Sequence, residues 1–209
     1  MGNFIYSRVT IEPTEAMDKI CDMIENMPQS EYGKETTNIV KTFYTEEELQ
    51  KPYNNGETDY PVTDTGVNHG WLYDNVGTKW LTVEVDDDIR IESPSYIPDG
   101  FLIKLYSLCV NDFEDVSVTC KWHSEGETEC GTALIWNGIY TEDQSYIEEE
   151  YDDTELGNEK KWEDIFEKQE DIFRECEEAI ETEDFEFPIS KVKKIANMKY
   201  EMVTDCYPF

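Results

Sequence analysis

Two histidines, His69 and His123, and six cysteines at 21, 109, 120, 130, 176 and 206 are the residues of this 209-residue chain best suited to chemistry. A nucleophile with its base, or a metal site, needs one of the histidines beside Cys, Asp or Glu in space. Cys120 and His123 stand three apart in an alternating stretch, which sends them to opposite faces of a strand. No Cys-x-x-Cys pair occurs, so neither a zinc site nor a dithiol redox motif is indicated, and the thiols read as reduced and mostly buried. Gly77-Thr78-Lys79 lacks the remainder of a phosphate-binding P-loop, and no Gly-x-Gly-x-x-Gly is present. Asp86-Asp87-Asp88 has carboxylates, but successive strand residues diverge, so a solvated hairpin is expected rather than a cation site. These residues assign no catalytic group, no metal and no cofactor. One enzymatic alternative remains: a small-molecule or nucleotide site in a crevice near His69 and Lys79.

The elements that must carry these residues read as an α+β fold. Asn3 to Glu12 alternates Ile5, Ser7, Val9 and Ile11 with Phe4, Tyr6, Arg8 and Thr10, a strand pattern with both faces partly apolar. A helix follows, with Thr14 as its expected N-cap and Ala16, Met17, Ile20, Met23, Ile24 and Met27 at helical spacing until Pro28. The methionine stripe is expected to be core against a sheet. Residues 28–70 form a long polar insertion, with a short strand expected at Asn38 to Tyr44, a helical turn at Glu46 to Gln50 and a tight turn at Asn54-Asn55-Gly56. Two strands are expected at Trp80 to Val85 and Asp88 to Ser93. A second helix carries Ile97, Phe101, Leu102, Leu105, Leu108 and Cys109, and strands follow at Val116 to His123 and Thr132 to Tyr140. The order β-α-β-β-α-β-β predicts a ferredoxin-like antiparallel sheet with two helices on one face, leaving the other face for the tail or a partner.

Residues 1–141 are expected to be this domain, and 142–209 an acidic helical extension packed on it. From Asn158 to Glu181 the period is helical, with Trp162, Ile165, Phe166, Gln169, Ile172, Phe173, Cys176, Ala179 and Ile180 in one stripe. Residues 187–209 are mildly basic and are expected to fold back on the acidic helix.

Charge narrows the function classes. There are 49 acidic residues against 17 basic ones, a formal charge of −32, and residues 142–186 alone hold 21 acids against 4 bases. Such a chain repels nucleic acid and anionic membranes. High charge often signals disorder, but 13% aromatic content with five tryptophans supplies large apolar surfaces to bury. The N-terminus lacks the apolar core of a signal peptide, and no apolar run approaches the roughly 20 residues that span a bilayer, so a cytoplasmic protein is expected.

Residues 159–181 contain ten acids over about 34 Å of helix, or one per ~3.4 Å, near the charge spacing of one DNA strand. Such a surface could occupy a basic nucleic-acid groove on a partner protein. The expected partner-binding residues are Glu163, Glu167, Glu170, Asp171, Glu175 and Glu178. A solvated helix face is the simpler use of the same charge run, and a structural or assembly module is a further class.

Trp71, then Asn75-Val76-Gly77-Thr78-Lys79-Trp80, a paired strand ending in Glu92-Ser93-Pro94, a helix and a tryptophan-rich strand-turn-strand together resemble the YubB-type ferredoxin-like domain of phage and plasmid proteins. That family reads Asn-Trp-Gly-Thr-Lys-Trp here, and this chain departs from it with Val76 and with a shortened Ser-Pro pattern. The resemblance covers roughly residues 3 to 140 and implies a fold and a mobile-element origin but no activity. It makes Trp71, Asn75, Gly77, Thr78, Lys79 and Trp80 a structural signature, expected in the middle of the sheet. The profile is also similar to accessory proteins of T-even-like phages that counter a DNA-modifying ADP-ribosyltransferase toxin. It implies a non-enzymatic inhibitor of a host nucleic-acid-handling enzyme or toxin.

Overall fold

The computed structural model describes residues 4–28, 34–50, 62–63, 66–147, 154–185, 189–196 and 199–204. The chain is α+β. In order, it forms β1 (Phe4–Glu12), α1 (Thr14–Glu25), α2 (Glu35–Phe43), α3 (Glu46–Leu49), β2 (Val62–Thr63), β3 (Gly66–Val67), α4 (His69–Asn75), β4 (Thr82–Val85) and β5 (Ile89–Pro94). After these come α5 (Asp99–Cys109), β6 (Ser117–Ser124), β7 (Glu129–Trp136), β8 (Ile139–Tyr146), α6 (Glu155–Thr182), β9 (Lys191–Ala196) and β10 (Lys199–Thr204). Eight strands make one sheet in the order β10-β9-β8-β7-β6-β1-β5-β4, and every pairing in it is antiparallel. β2 and β3 form a separate two-stranded pair. No helix among the described residues is long and apolar enough to cross a membrane.

β1 lies inside the sheet, paired with β5 on one edge and β6 on the other. Ile5, Ser7, Val9 and Ile11 are buried, while Tyr6, Arg8, Thr10 and Glu12 are exposed on the opposite face. On the buried side α1 contributes Ala16, Ile20 and Ile24, with Met17, Met23 and Met27 packed at the margin as expected of a core stripe. α5 adds Phe101, Leu102, Leu105 and Cys109 to the same core.

Several expectations need correction. The sheet has eight strands rather than the five expected, while α6 packs on the face opposite α1 and α5 that was left for the tail or a partner. Residues 35–43 are helical, since Ile39, Val40 and Phe43 meet the core at helical rather than alternating spacing. The stretch after Thr132 is a hairpin, β7 and β8, turned at Asn137-Gly138 with both residues at positive φ. Thr14 is the first residue of α1 rather than its cap; Pro13 holds that position without a side-chain cap bond. The helical turn near 46 is present as α3, closed by a reciprocal Thr45–Glu48 capping box. Asn54-Asn55-Gly56 lies outside the described residues.

The 141/142 boundary falls inside β8, and β9 pairs with β8, so the C-terminal segment extends the same sheet. A second apolar cluster lies on this face: Leu134 from β7, Ile172, Cys176, Ala179 and Ile180 from α6, and Ile189 and Val192 from the tail. The other side of β9 points toward α5. There Lys191 and Lys193 donate to Asp99 Oδ2 at 2.5 and 2.6 Å. Lys191 also stands 3.4 Å from Glu142, and the Tyr140 hydroxyl donates to Glu142 at 2.6 Å. Burial alone would raise the Asp99 carboxyl, but the two ammonium groups outweigh it and hold Asp99 below the usual carboxylate range.

Candidate binding groove

The open half of the sheet and the flank of α6 enclose a groove of about 930 Å³. Its floor is built from side chains that alternation sends away from the main core, and the strand register lays them in rows. One row crosses β4, β5, β1 and β6 as Glu84, Arg90, Arg8 and Lys121. The neighbouring row runs Thr82, Glu92, Tyr6 and His123. Its wall is α6, which presents Trp162, Phe166, Glu170, Phe173 and Glu177.

α6 takes this position because its apolar stripe is wider than the face it buries. Ile165, Gln169, Ile172, Cys176, Ala179 and Ile180 are buried, whereas Trp162 is 36% and Phe166 50% exposed. Polar pins fix its height over the sheet. Gln169 Nε2 donates to the Trp122 carbonyl at 2.8 Å, and the Thr132 hydroxyl donates to the Gln169 carbonyl at 2.9 Å. Lys121 pairs with Glu170, and Lys161 with Glu127 at 2.7 Å. The Trp162 ring meets His123 edge-on at 5.0 Å, and His123 lies 5.5 Å from Tyr6, itself 38% exposed. With Phe166 at 6.4 Å from Trp162, the rings form a continuous ladder from helix to floor.

The electrostatics of the groove are acidic. Seven carboxylates line it against Arg8, Arg90 and Lys121. Each cation already has a partner: Arg90 reaches Asp86 at 2.6 Å and Asp88 at 3.5 Å, Arg8 stands 3.9 Å from Asp88, and Lys121 holds Glu170. Glu84 and Glu92 make no ion pair among the described residues. Burial, then Glu92 and Glu125, pushes the Tyr6 phenol upward.

All six expected partner-binding acids are exposed on α6, but they do not form one patch. Glu170 turns to the groove. Glu175 leans toward β8, where burial, then Asp171 and Glu178, raises its carboxyl. Glu163, Glu167, Asp171 and Glu178 occupy the outer surface, Asp171 in contact with Arg174 at 2.5 Å.

The Trp71 to Trp80 signature lies elsewhere and not in the middle of the sheet: β4, which it precedes, is an edge strand. Trp71 is buried in α4, whose N-cap Asn68 accepts from the Gly70 N–H at 2.8 Å. Asn75 donates to the Trp71 carbonyl, and Thr78, fully buried, lies beside the Trp80 and Pro94 carbonyls. Gly77 has φ +90°, and a Cβ there would fall 2.3 Å from Asp99 Oδ1, so only glycine fits. Trp80 packs on Phe4 at 5.7 Å. His69 and Lys79 are both exposed, and neither lines the groove.

The cysteines at 109, 120, 130 and 176 are buried and free. Burial pushes Cys120 and Cys176 up to about 12 and Cys109 and Cys130 up to about 11, so their thiolate fraction at neutral pH is negligible.

The groove residues Tyr6, Arg8, Glu92 and His123 were not singled out as a site from the sequence. The available signal was the polar half of the β1 alternation together with an aromatic stripe on α6 too wide to bury. No family model, curated protein or solved structure matches this chain.

Proposed function

We propose that the chain is a non-enzymatic binding protein whose acidic helix engages a basic, nucleic-acid-binding surface on a partner protein. The observation that carries this reading is the outward face of α6, where Glu163, Glu167, Asp171 and Glu178 are exposed along one helix whose inner face is buried on the sheet. A charge array already fixed in place binds with little further ordering cost, and its field speeds encounter with a positive surface. The net charge of −32 favours a protein partner over nucleic acid itself.

The finer reading of the fold is that β1, α1, β4, β5, α5 and β6 form a ferredoxin-like unit. Its support is the strand order β6-β1-β5-β4 with both helices on one face. The YubB-type resemblance points the same way and suggests a phage or plasmid origin. In that setting the protein acts in the host cytoplasm as an inhibitor of a nucleic-acid-handling defence enzyme or toxin, such as a DNA-modifying ADP-ribosyltransferase.

The test is capture of a partner from host lysate on the immobilised full chain, followed by titration of the purified pair. Replacing Glu163, Glu167, Asp171 and Glu178 by lysine should abolish binding with unchanged circular dichroism. The wild-type affinity should fall as salt rises. Retained affinity in the reversed variant, or an affinity indifferent to salt, refutes the proposal.

A further inference from the structure

We infer that the groove between the open sheet face and α6 receives an extended, arginine-bearing segment of the partner, with a guanidinium laid on the Tyr6–His123–Trp162 ladder opposite Glu92. This rests on the partner-binding reading and assigns to the groove a role separate from the outer face of α6.

Three observations carry it. First, Tyr6, Trp162 and Phe166 remain 38, 36 and 50% exposed although His123 joins Tyr6 to Trp162 and Phe166 lies beside Trp162. Aromatic faces kept open in a row beside carboxylates suit a planar cation, which they attract within about 6 Å of a ring centre. Second, the acids of the floor are in excess. Arg90 and Lys121 are held by Asp86 and Glu170, and Arg8 stands 3.9 Å from Asp88, whereas Glu84 and Glu92 make no ion pair among the described residues. With seven carboxylates against three cations in its lining, the groove carries an excess of negative charge that disfavours a phosphate. Third, the dimensions suit a chain segment. From Tyr6 to Glu12 the β1 floor runs about 20 Å at ~3.3 Å per residue, the length of roughly six extended residues. A volume of about 930 Å³ lies at the large end of ligand sites. The site is preorganised, because β1, β5 and β6 are interior strands and α6 is pinned by Gln169 and Thr132.

The experiment titrates the full chain with the synthetic peptide acetyl-(Gly-Arg)3-amide, followed by tryptophan fluorescence and calorimetry, with acetyl-(Gly-Lys)3-amide and spermine as comparison probes. Trp162→Ala and, separately, the nearly isosteric Glu92→Gln should each weaken the arginine peptide roughly tenfold. The double variant Asp22→Asn/Glu25→Gln, exposed on α1 across the sheet, should stay within about threefold of wild type, because surface charges far from a site act weakly through salt. The arginine peptide should also bind more tightly than the lysine peptide or spermine. Equal affinity in wild type and both groove variants, equal loss in the α1 variant, or equal binding of all three probes overturns the inference. These outcomes are independent of the partner-capture experiment. Capture can survive with an empty groove, and outer-face reversal can abolish capture while the peptide still binds.

Discussion

Asp99 is the point at which the C-terminal strands are tied to the rest of the molecule, and replacing it by asparagine tests how much that tie contributes. The residue is 7% exposed at the start of α5. Its Oδ1 accepts the Gly100 N–H at 2.7 Å, while Oδ2 accepts both Lys191 and Lys193. Breaking a buried ion pair by removing one partner costs about 3–5 kcal/mol. Lys191 retains Glu142 and is a third exposed, whereas the Lys193 side chain is only 12% exposed. Both ammonium groups keep the Tyr140 ring at 5.8 and 5.7 Å, so the penalty sits at the low end of that range, about 3 kcal/mol, which for a chain of this size corresponds to a Tm lower by about 6–12 °C. The sign of the pH dependence follows from the depressed Asp99 carboxyl. Its contribution is complete above the unfolded-chain value of about 4 and is lost as pH falls through the lower folded value. The gap between wild type and Asp99→Asn in urea unfolding should be full at pH 7 and should shrink on acidification below pH ~4. Amide exchange in Lys191–Ala196 should accelerate in the variant at pH 7. A gap under 1 kcal/mol at pH 7, or one that is the same at pH 3 and pH 7, would refute the reasoning.

Two further substitutions separate structural from dispensable positions. Gly77→Ala forces a Cβ to within 2.3 Å of Asp99 Oδ1 and 2.9 Å of its backbone nitrogen at φ +90°, and should cost about 2–4 kcal/mol in urea unfolding. Lys79→Ala, two residues on and exposed, should stay within about 0.5 kcal/mol of wild type. Asp143→Asn acts through pH: burial, reinforced by Glu175 and Glu142, pushes that carboxyl up to about 6 despite hydrogen bonds from Gln144 and Ser190. A raised carboxyl favours folding below the unfolded value of about 4, and that advantage is lost as pH rises through about 6. The asparagine variant should therefore gain on wild type between pH 4 and pH 8, by at most about 3 kcal/mol. Parallel stability profiles across that range would contradict the burial argument.

Local periodicity made most of the first 140 residues legible. β1, α1 and β6 have the period and the buried positions their sequences announce, because each packs one continuous face on the main core, whereas α5 is buried nearly all round, Lys104 and Tyr106 included. The misreadings arose where a short apolar run fits two periods. Ile39, Val40 and Phe43 read equally as strand or helix until a core fixes which face is buried. Asn137-Gly138 lay within what looked like one strand, although Asn-Gly is a strong hairpin turn. The tryptophan and glycine stretch was expected in the middle of the sheet as the signature of the family it resembles. Trp71 instead reaches the core from a seven-residue helix, and Gly77 is required by the backbone of Asp99, a residue 22 positions away whose approach no local pattern records.

The groove was harder to see for a different physical reason. Its floor is the half of β1, β5 and β6 that alternation marks as solvent-facing, and polar strand residues normally mean only water. What changes their meaning is α6, which arrives from residues 155–182 and crosses the sheet above β6, β7 and β8, leaving β1, β5 and β4 open beside it. A helix that needed only to cover the sheet would require the stripe of Ile165, Ile172, Cys176, Ala179 and Ile180. Trp162, Phe166 and Phe173 widen that stripe on one side only, toward the open floor, where they meet His123 and border Lys121. Exposing two large aromatics beside carboxylates that make no ion pair among the described residues forgoes the burial their neighbours in the stripe obtain. The acidity of the chain takes on the same asymmetry. Spread over both halves of the sequence it reads as a uniform solvating charge, yet the fold divides it into an outer surface on α6 and a floor where seven carboxylates face three cations. On the proposed reading these are two separable contacts for a basic partner, and the salt dependence of each can be measured with the other removed.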